Sequence, residues 1–150
     1  MKSEHSLYIP EIIPAIKKPA TEEMRSPYWK LPKNWKEMME SVAWAAGTRL
    51  TLETNAPETV AIEVTEKEDR SGIIVHLLNY NNERDSVLKN IRVSLEIPDK
   101  QDVDNLEVFS PDNNKTVNID FHIENNRLIF VIPELKTYDL AVISLRCIKE

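Results

Sequence analysis

After Gly47, apolar residues alternate with polar ones along most of the chain, and this period of two constrains the fold more than any other feature. Residues 60–64, 91–97 and 117–123 each place an apolar side chain at every second position. This alternation is typical of strands with one face in a core and the other in water. Three further segments (73–78, 128–132 and 140–145) are apolar on nearly both faces, and 106–109 is a shorter strand pattern. Of these, 73–78 is predicted to be a central strand of a sheet.

The connections between these segments contain the residues that tight turns need. Asn125-Asn126 separates two strand patterns by two residues, as in a hairpin whose central residues both adopt positive φ. Pro98-Asp99 and residues 110–114 close other strands. About seven strands with no helix between them predict a mainly-β fold, an antiparallel β-sandwich over residues 48–150. A single closed barrel is the alternative.

The first part of the chain is rich in proline and differs in composition from the rest. Five of the nine prolines lie before residue 33: Pro10, Pro14, Pro19, Pro27 and Pro32. Because proline fixes φ and lacks an amide donor, this arm is predicted to be extended or irregular, with one short strand at residues 7–9. Residues 1–47 are therefore assigned to an N-terminal arm and helix, separate from the sandwich.

Residues 34–46 have the spacing of an amphipathic helix. Asn34 is predicted to be the N-cap, with Glu37 close to completing a capping box, and Gly47 is placed for a left-handed C-terminal cap. The apolar stripe repeats every three or four residues and consists of Trp35, Met38, Met39, Val42 and Ala46. Trp44 lies about half a turn from that stripe. A helix of this kind is expected to be contacted on two sides.

Composition narrows the classes of partner. The formal net charge is −6, which argues against a nucleic-acid partner because phosphate neutralisation needs clustered Lys and Arg. No apolar run approaches the roughly 20 residues of a membrane span. With Cys147 as the single cysteine and no signal sequence visible, bacterial cytoplasm and periplasm both remain open as locations.

The titratable residues do not form a recognisable catalytic or metal-binding pattern. His5, His76 and His122 lack ligand spacing, and His76 is interpreted as a satisfied core histidine. Cys147 is interpreted as a buried, inert thiol. Two glycines are too few for a phosphate loop or a nucleophile elbow. No catalytic residue, cofactor or metal ligand is therefore assigned, and the chain is not expected to be an enzyme by itself.

Aromatic residues in and before the helix are the remaining candidates for a contact site. Four side chains are nominated for contact with a partner or a sugar: Tyr28, Trp29, Trp35 and Trp44. Aromatic faces bind sugar rings and also anchor protein interfaces. Packing of the arm on the sandwich explains them most simply, an interface with another domain or subunit comes next, and sugar binding is the third interpretation.

Several segments together resemble the C-terminal end of large bacterial glycoside hydrolases, including the α-L-fucosidase-like hypothetical glycosidases. They are residues 41–47, 60–64, 74–80, 131–135 and 138–143. Such enzymes have a TIM-barrel catalytic domain, an α/β domain like the β-galactosidase trimerisation domain, and a final β-sandwich. The resemblance implies that residues 1–46 are the tail of that α/β domain and that residues 38–47 belong to its last helix. It assigns no catalytic acid here, because the family's catalytic acids lie in the barrel.

The resemblance implies a non-catalytic accessory domain with a structural, domain-packing or oligomerisation role. Its expected partners are other domains of the parent glycosidase or a second copy of the chain. A carbohydrate-binding module, with carbohydrate as partner, is the alternative. We also expect residues 1–33 to contact the sandwich or a second subunit through their apolar side chains, since an exposed apolar arm is unfavourable.

Overall fold

The computed structural model describes residues 8, 11–16, 31–47, 50–81, 86–112 and 114–148. The chain divides into two compact units, Met1–Leu50 and Thr51–Glu150. In the described ranges the first unit contains one helix, α1 (Trp35–Ala45), which is too short to cross a membrane. Among its described residues, the second unit contains nine strands: β1 (Leu52–Thr54), β2 (Val60–Glu66), β3 (Gly72–Asn79), β4 (Leu88–Glu96), β5 (Gln101–Ser110), β6 (Lys115–Asn118), β7 (Phe121–Glu124), β8 (Arg127–Leu135) and β9 (Tyr138–Cys147).

These strands form two antiparallel sheets. One has the order β1-β4-β8-β7 and the other has the order β2-β3-β9-β5-β6. The prediction of a mainly-β antiparallel sandwich is confirmed, with two separate sheets in place of a single closed barrel. The doubly apolar segment 73–78 lies within β3, which is paired on both sides by β2 and β9, so its predicted interior position is confirmed.

The core lies between the two sheets and is built from alternate side chains of each. Val75, Leu77 and Ile143 enter it from the five-stranded sheet, and Val93 and Ile132 enter it from the four-stranded sheet, all fully buried. Burying one such side chain contributes roughly 1.5–3 kcal/mol relative to leaving it in water. The period of two is thus the direct cause of the sandwich, since it supplies one apolar face per strand.

The alternating segment 117–124 is where the predicted strand count fails. The pattern predicts one strand, but the structure has two: β6 pairs with β5 in one sheet, and β7 pairs with β8 in the other. The chain crosses between the sheets at Ile119-Asp120. Both strands turn their odd-numbered residues toward the same core, so the alternation continues unbroken across the crossing. The three-residue strand β1 was also absent from the prediction, because it is too short to show a period.

The hairpin between β7 and β8 is as predicted. Asn125 and Asn126 have φ values of 52° and 62°, and Glu124 pairs with Arg127 across the turn. Asn126 also donates a hydrogen bond from Nδ2 to the carbonyl oxygen of Ile97, at 2.9 Å. This contact ties the hairpin to the end of β4.

The start of α1 differs from its prediction. Asn34 stands at the N-cap position, as predicted, but its side chain makes no capping hydrogen bond, so the predicted capping box is wrong. Instead, Asn34 Oδ1 accepts a hydrogen bond from the Ile13 amide at 2.9 Å, and Nδ2 donates to the Glu11 carbonyl at 2.8 Å. A side-chain amide has both a donor and an acceptor, so it can bracket an extended backbone segment, and here that use competes successfully with capping.

The end of α1 follows the prediction, whereas most of the strand predicted in the arm lies outside the described residues. Gly47 has φ 73°, and its amide donates to the Trp44 carbonyl at 3.1 Å, as in a left-handed C-terminal cap. Of the strand predicted at residues 7–9, Tyr8 is the part that lies in the described ranges, and it is in no strand.

Candidate functional site

The four aromatic candidates do not form a common platform in the described residues. Tyr28 and Trp29 lie outside the described ranges. Trp35 is 37% exposed at the start of α1, and Trp44 is half-buried near its end. Nine residues separate the two indoles, which places them about 13 Å apart along the axis and on opposite sides of the helix. Lys36 Nζ lies 5.8 Å from the centroid of the Trp35 ring and occupies one of its faces.

The apolar stripe of α1 is largely open. Met39 and Val42 are 48% and 54% exposed, and no residue of the helix is buried. The partly covered positions include Met38 and Trp44. The helix carries an amphipathic pattern, as predicted, without a tightly packed apolar face.

A second apolar surface lies on the sandwich itself, on the outer side of the five-stranded sheet. β3 alternates Ile73, Val75 and Leu77 into the core, at 0–6% exposure, with half-buried residues on the other side. The cross-strand register collects seven such outward side chains on β3, β5 and β9, which we call the apolar face: Ile74, His76, Leu78, Phe109, Tyr138, Leu140 and Val142.

The outer side of the four-stranded sheet is more mixed. The outward residues of β4, in the middle of that sheet, are Arg92, Ser94 and Glu96, all polar. Arg127 lies over Ser94 there, donating from Nε to Oγ and from Nη2 to the carbonyl oxygen, both at 2.7 Å. The adjacent strand β8 turns Ile129 and Val131 to the same side, so polar and apolar residues alternate across the two strands.

His76 and Tyr138 form the polar centre of the apolar face. His76 Nδ1 lies 2.7 Å from the Tyr138 hydroxyl oxygen, and their ring centroids are 6.2 Å apart. The interpretation of His76 as a core histidine is wrong, because an even-numbered position on β3 points away from the core. Its polar partner does exist, but it lies on the outer surface.

Acidic residues flank the apolar face. Glu63 on β2 is directly opposite His76, and Glu107 on β5 is directly opposite Val142. Near the end of β9, Arg146 donates to Asp102 at 2.7 Å and lies 3.6 Å from Asp104. The hydrogen bond and charge of Arg146 hold the pKa of Asp102 below its ordinary value.

A buried acid lies at one end of the sandwich. Asp139 is 2% exposed, and its Oδ1 has no hydrogen-bond partner among the described residues. Burial raises the pKa of its carboxyl, the hydrogen bond with Ser110 opposes that effect, and the charge of Asp112 adds to it. Asp112 itself accepts from the amides of Thr137 and Tyr138, and these bonds outweigh desolvation and lower the pKa of Asp112.

The remaining titratable residues are scattered. Cys147 is exposed at the end of β9, so its interpretation as a buried thiol is wrong; the strand extends past the core before it ends. His122 is exposed on β7, and His5 lies outside the described ranges. Within those ranges, no three His, Cys, Asp or Glu side chains are grouped in a way that could hold a metal ion.

The apolar face was missed from the sequence, although a signal for it was present. Segments 73–78 and 140–145 are apolar on nearly both faces, and the core accounts for only half of those side chains. Core packing does not explain why the outward-facing side chains of these segments are also apolar. The apolar face is suited to burial against a second surface, with a single polar pair at its centre.

Comparison with known proteins gives structural likeness without sequence kinship. No protein-family model matches the chain, and no curated protein matches it. Alpha-L-fucosidase isoenzyme 2 from Paenibacillus thiaminolyticus is similar with a TM-score of 0.60 and 19% identity, over 73% of this chain and 17% of that chain.

A second solved structure has a similar fold. The cycloisomaltooligosaccharide glucanotransferase of Paenibacillus sp., complexed with cycloisomaltoheptaose, is similar with a TM-score of 0.51 and 16% identity, over 61% of this chain and 16% of that chain. At these identities the likeness shows the fold alone. This chain matches a small part of each of two glycoside hydrolase-type enzymes.

Proposed function

We propose that this chain is a non-catalytic accessory β-sandwich of a glycoside hydrolase, and that its apolar face packs against another domain of that enzyme. The observation that carries the proposal is the apolar face, which the fold leaves half-exposed beside a fully formed core. The likeness to a small part of two large glycosidase-type enzymes supports the choice of enzyme class.

The apolar face is too small to hold a partner alone. Strands lie about 4.8 Å apart and outward residues repeat about every 6.8 Å, so its seven residues cover about 230 Å². Counting both partners, about 460 Å² would be buried, which is less than the roughly 600–1,500 Å² of interfaces between domains of one protein. Independent, stable complexes bury about 1,200–2,000 Å². The apolar face therefore fits a partner that is tethered to it or held by further contacts.

We expect a glycosidase catalytic barrel to be encoded with this chain, either fused to it or adjacent, and the proposal is tested with the polypeptide that carries that barrel. We expect the thermal midpoint and glycosidase activity of that polypeptide to rise when the sandwich is present. The double substitution Ile74→Thr with Val142→Thr keeps β-branched side chains and should remove most of this gain. An equal gain with the wild-type and the substituted sandwich would contradict the proposed packing surface.

The chain alone supplies the complementary measurement. We expect no hydrolysis of a panel of aryl glycosides and no binding of oligosaccharides. Hydrolysis that survives stringent purification would refute the non-catalytic assignment. Sugar binding that quenches Trp35 fluorescence would instead favour the carbohydrate-binding alternative, since Trp35 is the most exposed of the described indoles.

A further inference from the structure

We infer that the apolar face takes a different protein surface as its partner, apolar at its centre and carrying Arg or Lys against Glu63 and Glu107, and not a second copy of this chain. The inference rests on the proposed function and specifies the partner of the same surface. Charge on and around the apolar face carries the argument.

The charged side chains that the register places on this side of the sheet are mainly acidic. In the described ranges, Glu63, Glu107 and Asp102 point to this side by register, and Asp104 joins them through its ion pair with Arg146. Two bases accompany these acids: Arg146, which is shared between the two aspartates, and Lys67 after β2, whose side chain lies beside Gly72. Glu63 and Glu107 flank the apolar residues on both sides. Glu63 has His76 opposite it, and Glu107 has Asn118 and Val142, so neither faces a Lys or Arg in the sheet.

A symmetric pair of copies would bring these acids together. In a twofold interface the same patch faces itself, so Glu63 and Glu107 of both copies would enter one low-dielectric surface. Like charges juxtaposed in an interface are unfavourable. The apolar face covers only about 230 Å² per copy, so burying it offsets little of that cost. Glu63 and Glu107 thus disfavour self-association through the apolar face.

A partner with basic side chains would interact favourably with the carboxylates of Glu63 and Glu107. Glu63 lies directly across from His76, where cross-strand Cβ atoms are about 4.5–5.5 Å apart. A guanidinium placed at Glu63 could bind its carboxylate through two hydrogen bonds and lie against the His76 and Tyr138 rings. Arginine is therefore the residue that best fits the position of the partner surface opposite Glu63.

The first test removes the acids from the full chain. We expect the wild type to be monomeric by sedimentation equilibrium and the Glu63→Gln, Glu107→Gln variant to self-associate. Adding Ile74→Thr and Val142→Thr to that variant should restore the monomer. Glu68→Gln, an exposed glutamate in the loop between β2 and β3, is the matched control and should stay monomeric.

Two results of this first test would overturn the inference. One is a wild-type dimer that Ile74→Thr and Val142→Thr dissociate, which would make a second copy the natural occupant. The other is a Glu63→Gln, Glu107→Gln variant that stays monomeric at every concentration reached, because the acids would then not be what keeps copies apart.

The second test uses the barrel-carrying polypeptide as the probe. We expect the affinity of the wild-type chain for this polypeptide to fall as salt is added. The Glu63→Lys, Glu107→Lys variant should bind at least tenfold more weakly than the wild type, a difference of about 1.4 kcal/mol. The control is a Glu58→Lys, Glu68→Lys variant, which makes the same change in net charge at two exposed loop sites and should bind like the wild type. Glu68→Lys alone makes half of that charge change. Circular dichroism and thermal midpoints check that every variant is folded.

The outcomes separate the inference from the proposal on which it rests. If the wild-type chain does not bind the barrel-carrying polypeptide, the proposed function fails. If the wild type binds and the Glu63→Lys, Glu107→Lys variant binds equally well at all salt concentrations, the proposed function stands and the basic partner surface is refuted.

Discussion

At the residue scale, single side chains decide local stability, and Asp139 is the clearest case. It lies on β9 within the core layer, where strand alternation calls for an apolar residue. Ser110 satisfies part of the carboxyl, and Asp112 adds unfavourable charge. Its pKa is raised, so the folded state binds this proton more tightly than the unfolded state does. That contribution to stability is complete below the ordinary value of 3.8 and is lost as pH rises through the raised value.

We therefore predict that Asp139→Asn increases the free energy of unfolding at neutral pH by about 1–2 kcal/mol, since it removes a buried, partly unpaired charge. The gain should shrink as pH falls toward 3.8. Urea unfolding at several pH values measures both effects. Asp112→Asn is the control with the opposite sign: the pKa of Asp112 is lowered, so its charge stabilises the fold at neutral pH and its loss should destabilise.

The hairpin asparagines give a second prediction at this scale. Asn126→Ala should lower the free energy of unfolding by about 2 kcal/mol, because it loses the hydrogen bond to Ile97 and puts a Cβ without a polar group at positive φ. Asn126→Gly loses the hydrogen bond but tolerates φ 62°, so its loss should be about half as large. Equal losses for the two variants in chemical denaturation would show that the left-handed conformation contributes nothing.

These residues also show which local details a sequence reveals. Asn125-Asn126 was predictable because a two-residue gap between strands leaves few turn types, and those types require the φ values that asparagine tolerates. The role of Asn34 was not predictable, because the same side-chain amide can cap a helix or form hydrogen bonds to a distant backbone segment. Only the fold brings residues 11 and 13 within its reach.

At the element scale, each strand was predictable where it alternates, and sheet membership was not. The split of residues 115–124 into β6 and β7 leaves the period intact, so the sequence pattern contains no trace of the crossing between sheets. Strands β3 and β9 were predictable as interior or apolar elements, whereas the outward half of their side chains acquires meaning only when the register aligns them into one surface. Strand pairing between segments that are distant in sequence decides both the sheet that each strand joins and the residues that form the apolar face.

Gly72 provides a prediction about the contact between β3 and β9. A Cβ at this position would lie 2.6 Å from the Ile143 carbonyl oxygen, so Gly72→Ala requires the backbone of β9 to shift. We expect a loss of about 1–3 kcal/mol in the free energy of unfolding, as for other overpacked sites. Gly47→Ala meets no atom within 4 Å, so its cost is confined to the positive φ at the end of α1. A neutral Gly72→Ala in urea unfolding would contradict the close approach of the two strands.

At the scale of the whole molecule, the two compact units differ in how they are held together. The unit Thr51–Glu150 has a continuous apolar core from two sheets, whereas no residue of α1 is buried. Stability should therefore reside in the sandwich. The change of period at Gly47 predicted the sandwich that follows it. It could not predict the apolar face, because alternation alone does not say which strands become neighbours.

We predict that a fragment of residues 51–150 folds by itself. It should give a β-type circular dichroism spectrum and a single cooperative unfolding transition, with a midpoint close to that of the full chain. A fragment that is soluble but shows no cooperative transition would contradict the independence of the second unit.

The central claim is that the apolar face is buried by a glycosidase domain, and the most direct measurement is the chemical accessibility of that face. In a Cys147→Ser background, a single cysteine at Val142 is labelled with a thiol reagent in the free chain and in the assembly with the barrel-carrying polypeptide. We expect at least tenfold slower labelling in the assembly, while a cysteine at Glu124, on the outer side of the other sheet, reacts at an unchanged rate. Unchanged labelling at position 142 in a demonstrated assembly would contradict the burial of the apolar face.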